Sequence, residues 1–191
     1  LSNVVPLVRL TSNNSDLIKR VMDAGAHGII VPMVNSALDA EIAVQSIKYP
    51  PLGKRGVGLA RAQKYGAGFD AYNKWQVDGS IVIVQIEHID AVKNFREIMS
   101  VSGVDGFIVG PYDLTSSMGI PGEFSNLKYL EVMNKIREDA KEMNVSAGVH
   151  IVEPDNKQLK KSIDEGYKFI GYSLDIRMLD HSCQSALKSI K

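Results

Sequence analysis

Six short apolar runs, each followed by a segment with helical spacing, are the feature that most constrains the fold of this chain. The runs cover residues 4–10, 28–32, 81–87, 106–110, 146–150 and 168–173. Most are apolar at nearly every position, which is typical of strands that are covered on both faces. Strand followed by helix, repeated along the chain, predicts parallel pairing through right-handed crossovers. The sequence therefore predicts a single α/β domain over residues 1–191.

The segments between the runs carry helix start signals. Asn14 or Ser15 can cap a first helix, and Asn35 or Ser36 can cap a second. Pro154 suits the first turn of a later helix. Further helical spacing covers 89–100, 126–143, 154–165 and 175–190.

Composition excludes several classes of partner. The 22 Lys and Arg balance the 22 Asp and Glu, so the chain has no electrostatic footprint for nucleic acid or for an anionic membrane surface. Its apolar runs are far shorter than the roughly 18 residues of a membrane span. Cys183 is the single cysteine, which excludes an intrachain disulfide and favours a reducing, cytoplasmic setting. We expect Cys183 to be a small buried group on the last helix.

The repeated unit fits either a doubly wound open sheet or a (β/α)8 TIM barrel. Two observations favour the barrel. No Gly-rich dinucleotide fingerprint follows the first strand. In addition, Arg9, Glu87, Asp113 and His150 lie at the carboxyl ends of different strands, which a barrel gathers around one mouth. Eight strands close such a barrel and six are predicted here, so we expect about six βα units of it.

Two carboxylates at neighbouring strand ends suggest a metal site. Glu87 ends one predicted strand and Asp113 lies just past the next. Like charges side by side repel each other, unless a hard divalent cation such as Mg²⁺ or Mn²⁺ lies between them. Gln85 and His150 could then either support the metal ligands from behind or face the substrate. The alternative is that both acids are solvated residues at helix starts, with Asp113 as an N-cap.

The stretch 49–80 has no clear strand and is rich in glycine and cations. Long ordered loops of this kind are often functional. Arg55 and Arg61 could bind the acidic end of a long substrate, or they could anchor the loop on neighbouring carboxylates. Tyr72 and Trp75 are expected to hold this loop or an oligomer contact, whereas Met33 is expected to pack.

Four motifs together resemble the HpcH/HpaI aldolases, the class II pyruvate aldolases of the phosphoenolpyruvate/pyruvate superfamily. They are "GIIVPMVNSALDAEIAV", "YPPLGKRGVGLARAQKYG", "VQIEHIDAVKNF" and "GVDGFIVGPYDLTSSMGIPG". The resemblance extends from Val5 to about Leu179 and includes the interval of 26 (113 − 87) between Glu87 and Asp113. The resemblance is specific because the motifs are long and occur in the order and at the spacing found in the family.

The resemblance implies a chemistry and a set of site residues. Glu87 and Asp113 would hold a divalent metal, Mg²⁺, Mn²⁺ or Co²⁺, that chelates pyruvate. Arg9 would bind the keto oxygen and stabilise the enolate. The turn Gly110, Pro111, Tyr112 and Asp113 would present backbone N–H groups to the substrate carboxylate. The implied reaction cleaves a 2-oxo-hydroxy acid into pyruvate and an aldehyde, or forms it from them. Examples of such an acid are 4-hydroxy-2-oxoheptanedioate and 2-dehydro-3-deoxyglucarate.

The resemblance also implies an assembly and a missing part. Family members form hexamers, trimers of dimers, that exchange the C-terminal helix, so a homo-oligomer is expected. The family pattern begins with two further βα units, and the second carries its Asp/His acid/base pair. We therefore expect a fragment or split product of a longer aldolase. His150 is then either a proton-transfer group or, preferably, a contact for the second reactant. The alternative function is a non-catalytic aldolase-like module for binding or assembly. A third possible function is that of the related acyl-CoA lyases. It would require a binding segment for CoA, and none is recognisable in this sequence.

Overall fold

A computed structural model describes residues 4–188 and 190 and shows six strands alternating with helices. The strands are β1 Leu7–Arg9, β2 Gly28–Val31, β3 Ile81–Ile86, β4 Gly106–Val109, β5 Gly148–Ile151 and β6 Phe169–Tyr172. The helices are α1 Ser15–Asp23, α2 Ala37–Ile47, α3 Phe69–Asp78, α4 Ile89–Lys93, α5 Phe95–Met99, α6 Pro111–Ser117, α7 Leu127–Glu142, α8 Asn156–Asp164 and α9 Asp175–Lys188. A short 3₁₀ segment, Arg61–Gly66, precedes α3.

All six strands form one parallel sheet in the order β1 to β6, curled into a half-barrel. The register decides which side chains share a face, because directly paired residues of parallel strands point the same way. Arg9 pairs with Ile30, and Gln85 pairs with Ile108. The pairing of Val109 with Val149 places His150 on the same side as Ile108. Arg9, Gln85 and His150 therefore all point to the inner face of the half-barrel.

The hydrophobic core lies between the outer face of the sheet and the helices. The central strands contribute fully buried side chains to it, and the helices cover them from outside. Ile83 and Ile108 on the inner face are buried as well, so the central strands are apolar at nearly every position. Among the buried members are Val31, Val84, Val109, Ile18, Ile47, Phe95, Phe107 and Ile136.

The structure confirms the six predicted strands, although most are shorter than the apolar runs. Of the proposed capping residues, Asn14 caps α1 and Ser36 caps α2, each through its side chain. The predicted helix 89–100 is divided at Asn94, which has non-helical backbone angles. The placement of Pro154 in a first helical turn is wrong, because Asp155 is the N-cap of α8 and Pro154 precedes it.

The stretch 49–80 contains no strand in the structure, as predicted, but it is not a plain loop. It includes α3 and lies at the amino ends of the strands, where Trp75 packs against His27 with ring centroids 5.0 Å apart. Arg55 stacks on the ring of Tyr49, with 4.2 Å from its Cζ to the ring centroid. Arg61 donates to the carbonyl of Ala24, just before β2, at 3.5 Å. Both cations therefore anchor the segment at the amino ends of the strands, Arg55 on aromatic rings and Arg61 on a backbone carbonyl instead of carboxylates.

The C-terminal helix α9 has no buried residue in the described chain. Ile176, Leu179 and Leu187 are exposed apolar side chains along it. Cys183 is also exposed, so its prediction as a buried group is wrong. No helix in the described part of the chain combines the length and apolar character needed to cross a membrane.

Candidate active site

The predicted site residues meet where β3 and β4 end. Glu87 directly follows β3, and Gly110 directly follows β4. The chain then enters α6, whose first turn carries Asp113. Because β3 and β4 are parallel neighbours, their carboxyl ends bring Glu87 and the start of α6 together.

Glu87 is a buried carboxylate with half of its hydrogen-bonding capacity unused. The residue is 1% exposed. Its Oε1 accepts a hydrogen bond from the backbone N–H of Met33 at 2.8 Å, whereas its Oε2 is buried and has no partner among the described residues. Burial raises the pKa of Glu87, and the Met33 N–H opposes this rise. The charge of Asp113 raises the pKa further, against the charge of Arg9.

Gly110 is required by close packing at this point. A Cβ atom here would lie 2.7 Å from Oε2 of Glu87 and 2.8 Å from Nε2 of Gln85. A larger residue here would force the side chains of Glu87 and Gln85 to shift from these positions. Gly110 is the N-cap of α6, and Pro111 starts the helix, where its missing N–H costs nothing.

The alternative interpretation, in which both acids are solvated residues at helix starts, holds in part for Asp113, which is exposed in the first turn of α6, but not for Glu87, which is buried. The placement of Asp113 as an N-cap is wrong. Asp113 lies inside the first turn of α6, because Gly110 is the N-cap. Glu87 precedes the N-cap of α4, which is His88 with its Nδ1 accepting from the N–H of Asp90. Neither acid caps a helix.

Arg9 joins this group from β1. Its Nε donates to Oε1 of Gln85 at 3.2 Å. The side chain of Gln85 in turn lies against Gly110 and beside Glu87. The guanidinium of Arg9 is close enough to Glu87 to favour its charged form. Three strands thus bring a cation, an amide and two carboxylates to one place.

His150 and Tyr112 lie at the periphery of this group. His150 is half-buried on the inner face, where its Cδ2 would be 3.2 Å from a Cβ at Gly171. Among the described residues it forms no hydrogen bond with Glu87 or Asp113. Tyr112 is half exposed and packs edge-on against Phe124, with 5.0 Å between ring centroids.

Met33 is the member of the site that the sequence does not reveal. Its φ of 52° lies in the left-handed region, which a non-glycine residue seldom adopts. This conformation aims its N–H at Glu87, while its side chain is exposed at the mouth. No residue type signals such a role, since the backbone performs it, and the prediction of Met33 as a packing residue missed it.

The donor set at this site fits a hard divalent cation. The buried Oε2 of Glu87 has no partner and lies beside a second carboxylate, and the charge of Arg9 does not bring the pKa of Glu87 back to its ordinary value. No cluster of three or more His, Cys, Asp and Glu able to hold a metal occurs in residues 4–188 and 190. Glu87 and Asp113 would therefore supply two ligands, and water or substrate oxygens would complete the shell.

Comparison with known proteins agrees with this architecture. The family model described as HpcH/HpaI aldolase/citrate lyase matches residues 2–182. A 4-hydroxy-2-oxo-heptane-1,7-dioate aldolase from Klebsiella pneumoniae is 36% identical over 183 residues, which are 94% of this chain and 68% of that protein. A hydroxypyruvate/pyruvate aldolase from Roseobacter denitrificans is 33% identical over 175 residues, 91% of this chain and 68% of that protein.

A solved structure gives the same result for the fold. The crystal structure of an HpcH/HpaI aldolase/citrate lyase family protein from Burkholderia cenocepacia superposes with a TM-score of 0.91 at 30% identity. The match covers 97% of this chain and 73% of that one. The motifs, the site and both comparisons lead to one conclusion: the chain belongs to the HpcH/HpaI aldolase/citrate lyase family.

Proposed function

We propose that this chain carries the metal and substrate site of a divalent-metal-dependent aldolase, which forms or cleaves a 2-oxo-hydroxy acid by joining or releasing pyruvate and an aldehyde. The observation that carries the proposal is the buried, unpartnered Oε2 of Glu87 beside Asp113. The relatives named as aldolases of hydroxypyruvate and of 4-hydroxy-2-oxo-heptane-1,7-dioate support the reaction class. We also propose that the half-barrel is part of a complete (β/α)8 barrel.

Glu87 and Asp113 would hold the cation, Mg²⁺, Mn²⁺ or Co²⁺, all of which accept carboxylate oxygens. A bound divalent cation supplies Lewis acidity, which draws charge from a keto oxygen and eases loss of an α proton. Met33 keeps Glu87 in one orientation by binding Oε1, so that Oε2 stays available. The site is thus arranged before any ligand arrives.

Arg9 provides the fixed positive charge for an oxygen of the substrate. It lies at the exposed end of β1, and its Nε is held by Gln85. The remaining N–H groups of its guanidinium point away from that bond and can donate to a developing enolate oxygen. Gln85 acts as the positioning partner of Arg9, while Gly110 lets the substrate carboxylate approach the backbone of the following turn.

Exchange of the pyruvate methyl protons with deuterium, followed by NMR, tests enolate formation without requiring the aldehyde. The experiment uses this chain with and without Mn²⁺ or Mg²⁺. We expect metal-dependent exchange that falls by at least about 100-fold in Glu87→Gln. Glu97→Gln, the same change at an exposed position on α5, should leave the exchange unchanged.

Metal binding is measured in parallel from the Mn²⁺ electron paramagnetic resonance signal. Exchange that needs no metal, or that survives in Glu87→Gln, would contradict the proposal. Binding of Mn²⁺ and pyruvate without any exchange would contradict the catalytic part and favour the second class of function, a module that binds an oxo acid.

A further inference from the structure

Three groups of the candidate metal site come from three separate segments of the chain. Glu87 directly follows β3, Asp113 lies in α6, and the N–H of Met33 belongs to the loop between β2 and α2. The paired residues of β2, β3 and β4 all lie before these groups in their own segments. Contacts beyond the strands must therefore set the positions of the three groups relative to one another.

Asn94 joins the segment that follows Glu87 to the loop that carries Met33. Its Nδ2 donates to the backbone carbonyl of Asn35 at 2.8 Å, across 59 positions of the chain. Asn94 separates α4 from α5, and its φ of −95° and ψ of 12° are not those of a continuous helix. The break between the two helices thus coincides with the residue that makes this long-range bond.

The backbone of Met33 needs support of this kind. Its φ of 52° lies in the left-handed region, where a residue other than glycine stays only if its surroundings hold it. Its side chain is 49% exposed, so packing contributes little. In the described chain, only two hydrogen bonds join the loop 32–36 to residues 87–94: the one from the Met33 N–H to Glu87 and the one from Asn94. Asn94 therefore helps to keep the Met33 N–H directed at Oε1 of Glu87.

Ser117 makes the corresponding connection on the other side, from the helix that carries Asp113. Its Oγ accepts from the N–H of Ile89 at 3.0 Å and donates to the carbonyl of Leu114 at 2.7 Å. Ile89 is the first residue of α4, where backbone N–H groups have no acceptor within the helix. Among the residues that the structure describes, no other hydrogen bond joins α6 to residues 88–94.

The two side chains act on the site through backbone groups. Neither Asn94 nor Ser117 forms a hydrogen bond with Glu87 or Asp113 in the described chain. The carbonyl that Asn94 binds lies two residues after Met33, and the N–H that Ser117 binds lies two residues after Glu87. Small shifts of these backbone groups would move the site residues themselves.

We propose that Asn94 and Ser117 are positioning residues of the metal site, which hold the Met33 loop and α6 in place around Glu87. Asn94 acts through the Met33 N–H on the orientation of Glu87, and Ser117 acts on the spacing between Glu87 and Asp113. Ligands that are already ordered bind a cation more tightly, because binding then does not have to order them. The inference rests on the proposed function in that Glu87 and Asp113 bind the cation.

Mn²⁺ binding to this chain, measured by electron paramagnetic resonance, tests both residues. We expect Asn94→Ala and Ser117→Ala each to weaken Mn²⁺ binding by about 3- to 10-fold, the effect of one hydrogen bond. Ser117→Thr keeps the hydroxyl and should bind Mn²⁺ as the unchanged protein does. Ser116→Ala is the matched control on α6, because that hydroxyl donates to a carbonyl of its own helix. Asn73→Ala, at an exposed position on α3, is the control for Asn94→Ala.

Amide hydrogen exchange of the metal-free protein separates positioning from a general loss of stability. In Asn94→Ala, the N–H of Met33 should exchange about 3- to 10-fold faster. The N–H of Val84, in the centre of β3, should exchange as it does in the unchanged protein. Equal acceleration at both amides would show that the variant only opens more readily, and would overturn the role of Asn94. Asn94→Ser, which shortens the side chain and lacks the amide, gives a second measurement if Asn94→Ala fails to fold.

Glu87→Gln distinguishes a failure of this inference from a failure of the proposed function. Unchanged Mn²⁺ binding in Glu87→Gln would overturn the proposed metal site, and the positioning roles with it. Loss of Mn²⁺ binding in Glu87→Gln together with full binding in Asn94→Ala and Ser117→Ala would leave the metal site standing and overturn the positioning roles alone. Equal weakening in the two control variants, or no recovery in Ser117→Thr, would also overturn them.

Discussion

At the carboxyl end of the sheet, Glu87 is buried with one carboxylate oxygen unpaired and a second carboxylate beside it. At the amino end, Arg55 is equally buried, at 2% exposed, but lies over the rings of Tyr49 and Tyr72 and donates to the hydroxyl of Tyr72 at 2.9 Å. Two nitrogens of Arg55 also lack hydrogen-bond partners. Its charge is nevertheless compensated by the aromatic faces.

The difference shows how the same observation, a buried charge, has two meanings. Burial and the charge of Asp113 make the charge of Glu87 less favourable, and the Met33 N–H and Arg9 offset this only in part, so an added cation would complete the compensation. The rings of Tyr49 and Tyr72 and the hydroxyl of Tyr72 compensate the charge of Arg55 within the protein. Lys48 lies between the two patterns, because burial lowers its pKa although its Nζ donates to the carbonyls of Gln76 and Val77 near the end of α3. Function is therefore expected at the carboxyl end and stability at the amino end.

Gly110→Ala should have the largest effect, and it acts on the carboxyl end alone. The new Cβ would lie 2.7 Å from Oε2 of Glu87, so the carboxylate must move away from its position beside Asp113. A displacement of this size is expected to reduce metal-dependent pyruvate exchange by about 100-fold. Gly56→Ala is the matched control, because its Cβ would meet nothing nearer than 3.9 Å. Full exchange in Gly110→Ala would refute the assigned geometry.

Arg55→Met should lower the stability of the amino end of the sheet and leave the site at the carboxyl end unchanged. The change removes a stacked guanidinium and leaves the Tyr72 hydroxyl without its donor, which is expected to lower the free energy of unfolding by about 2 kcal/mol. Urea unfolding measures this loss, and Arg20→Met provides the same change at an exposed position. Exchange activity of the folded variant should be unaltered. A loss of activity without a loss of stability would show that this segment reaches the substrate.

The smallest expected effect is a pH-dependent difference between Glu87→Gln and the unchanged protein, both free of metal. The pKa of folded Glu87 is raised above its ordinary value of 4.5, so the folded state binds the proton more tightly. Its charge therefore destabilises the fold above the raised pKa, and this cost disappears as the pH falls towards the ordinary value. We expect Glu87→Gln to have a Tm about 2–4 °C higher at pH 8.

This advantage of Glu87→Gln should shrink as the pH is lowered towards 5. Thermal unfolding at several pH values, with a chelator present, provides the measurement. Glu97→Gln should differ from the unchanged protein by an amount that does not depend on pH. An advantage of Glu87→Gln that is constant with pH would mean that the carboxylate is not desolvated beside Asp113.

The sequence predicted the six strands and the group of polar residues at their ends, because apolar runs and helix caps are local properties. Parallel order then followed from the alternation, since strands joined through helices must run the same way. Glu87, Asp113, Arg9 and Gln85 could be assembled from this alone. The resemblance to the HpcH/HpaI aldolases supplied their expected roles.

The structure changed the interpretation where the contacts are not local. The stretch 49–80 looked like a candidate functional loop, yet its position after α2 places it at the amino ends, on the side away from the mouth. Asp113 looked like a possible N-cap, but the short approach of Gly110 to Glu87 fixes the helix start three residues earlier. Sequence patterns contain neither the direction of a long connection nor the distance between two backbones.

The sequence by itself determined which elements form and which end of the sheet collects the charged groups, because hydrophobic periodicity and chain direction fix both. Only the tertiary structure decided which polar atoms are left without partners. The backbone N–H of Met33 came to donate to Oε1 of Glu87, and Oε2 was left unpartnered against Gly110, through packing of segments distant in the chain. Pairing depends on distances between atoms, and those distances exist only in the folded molecule.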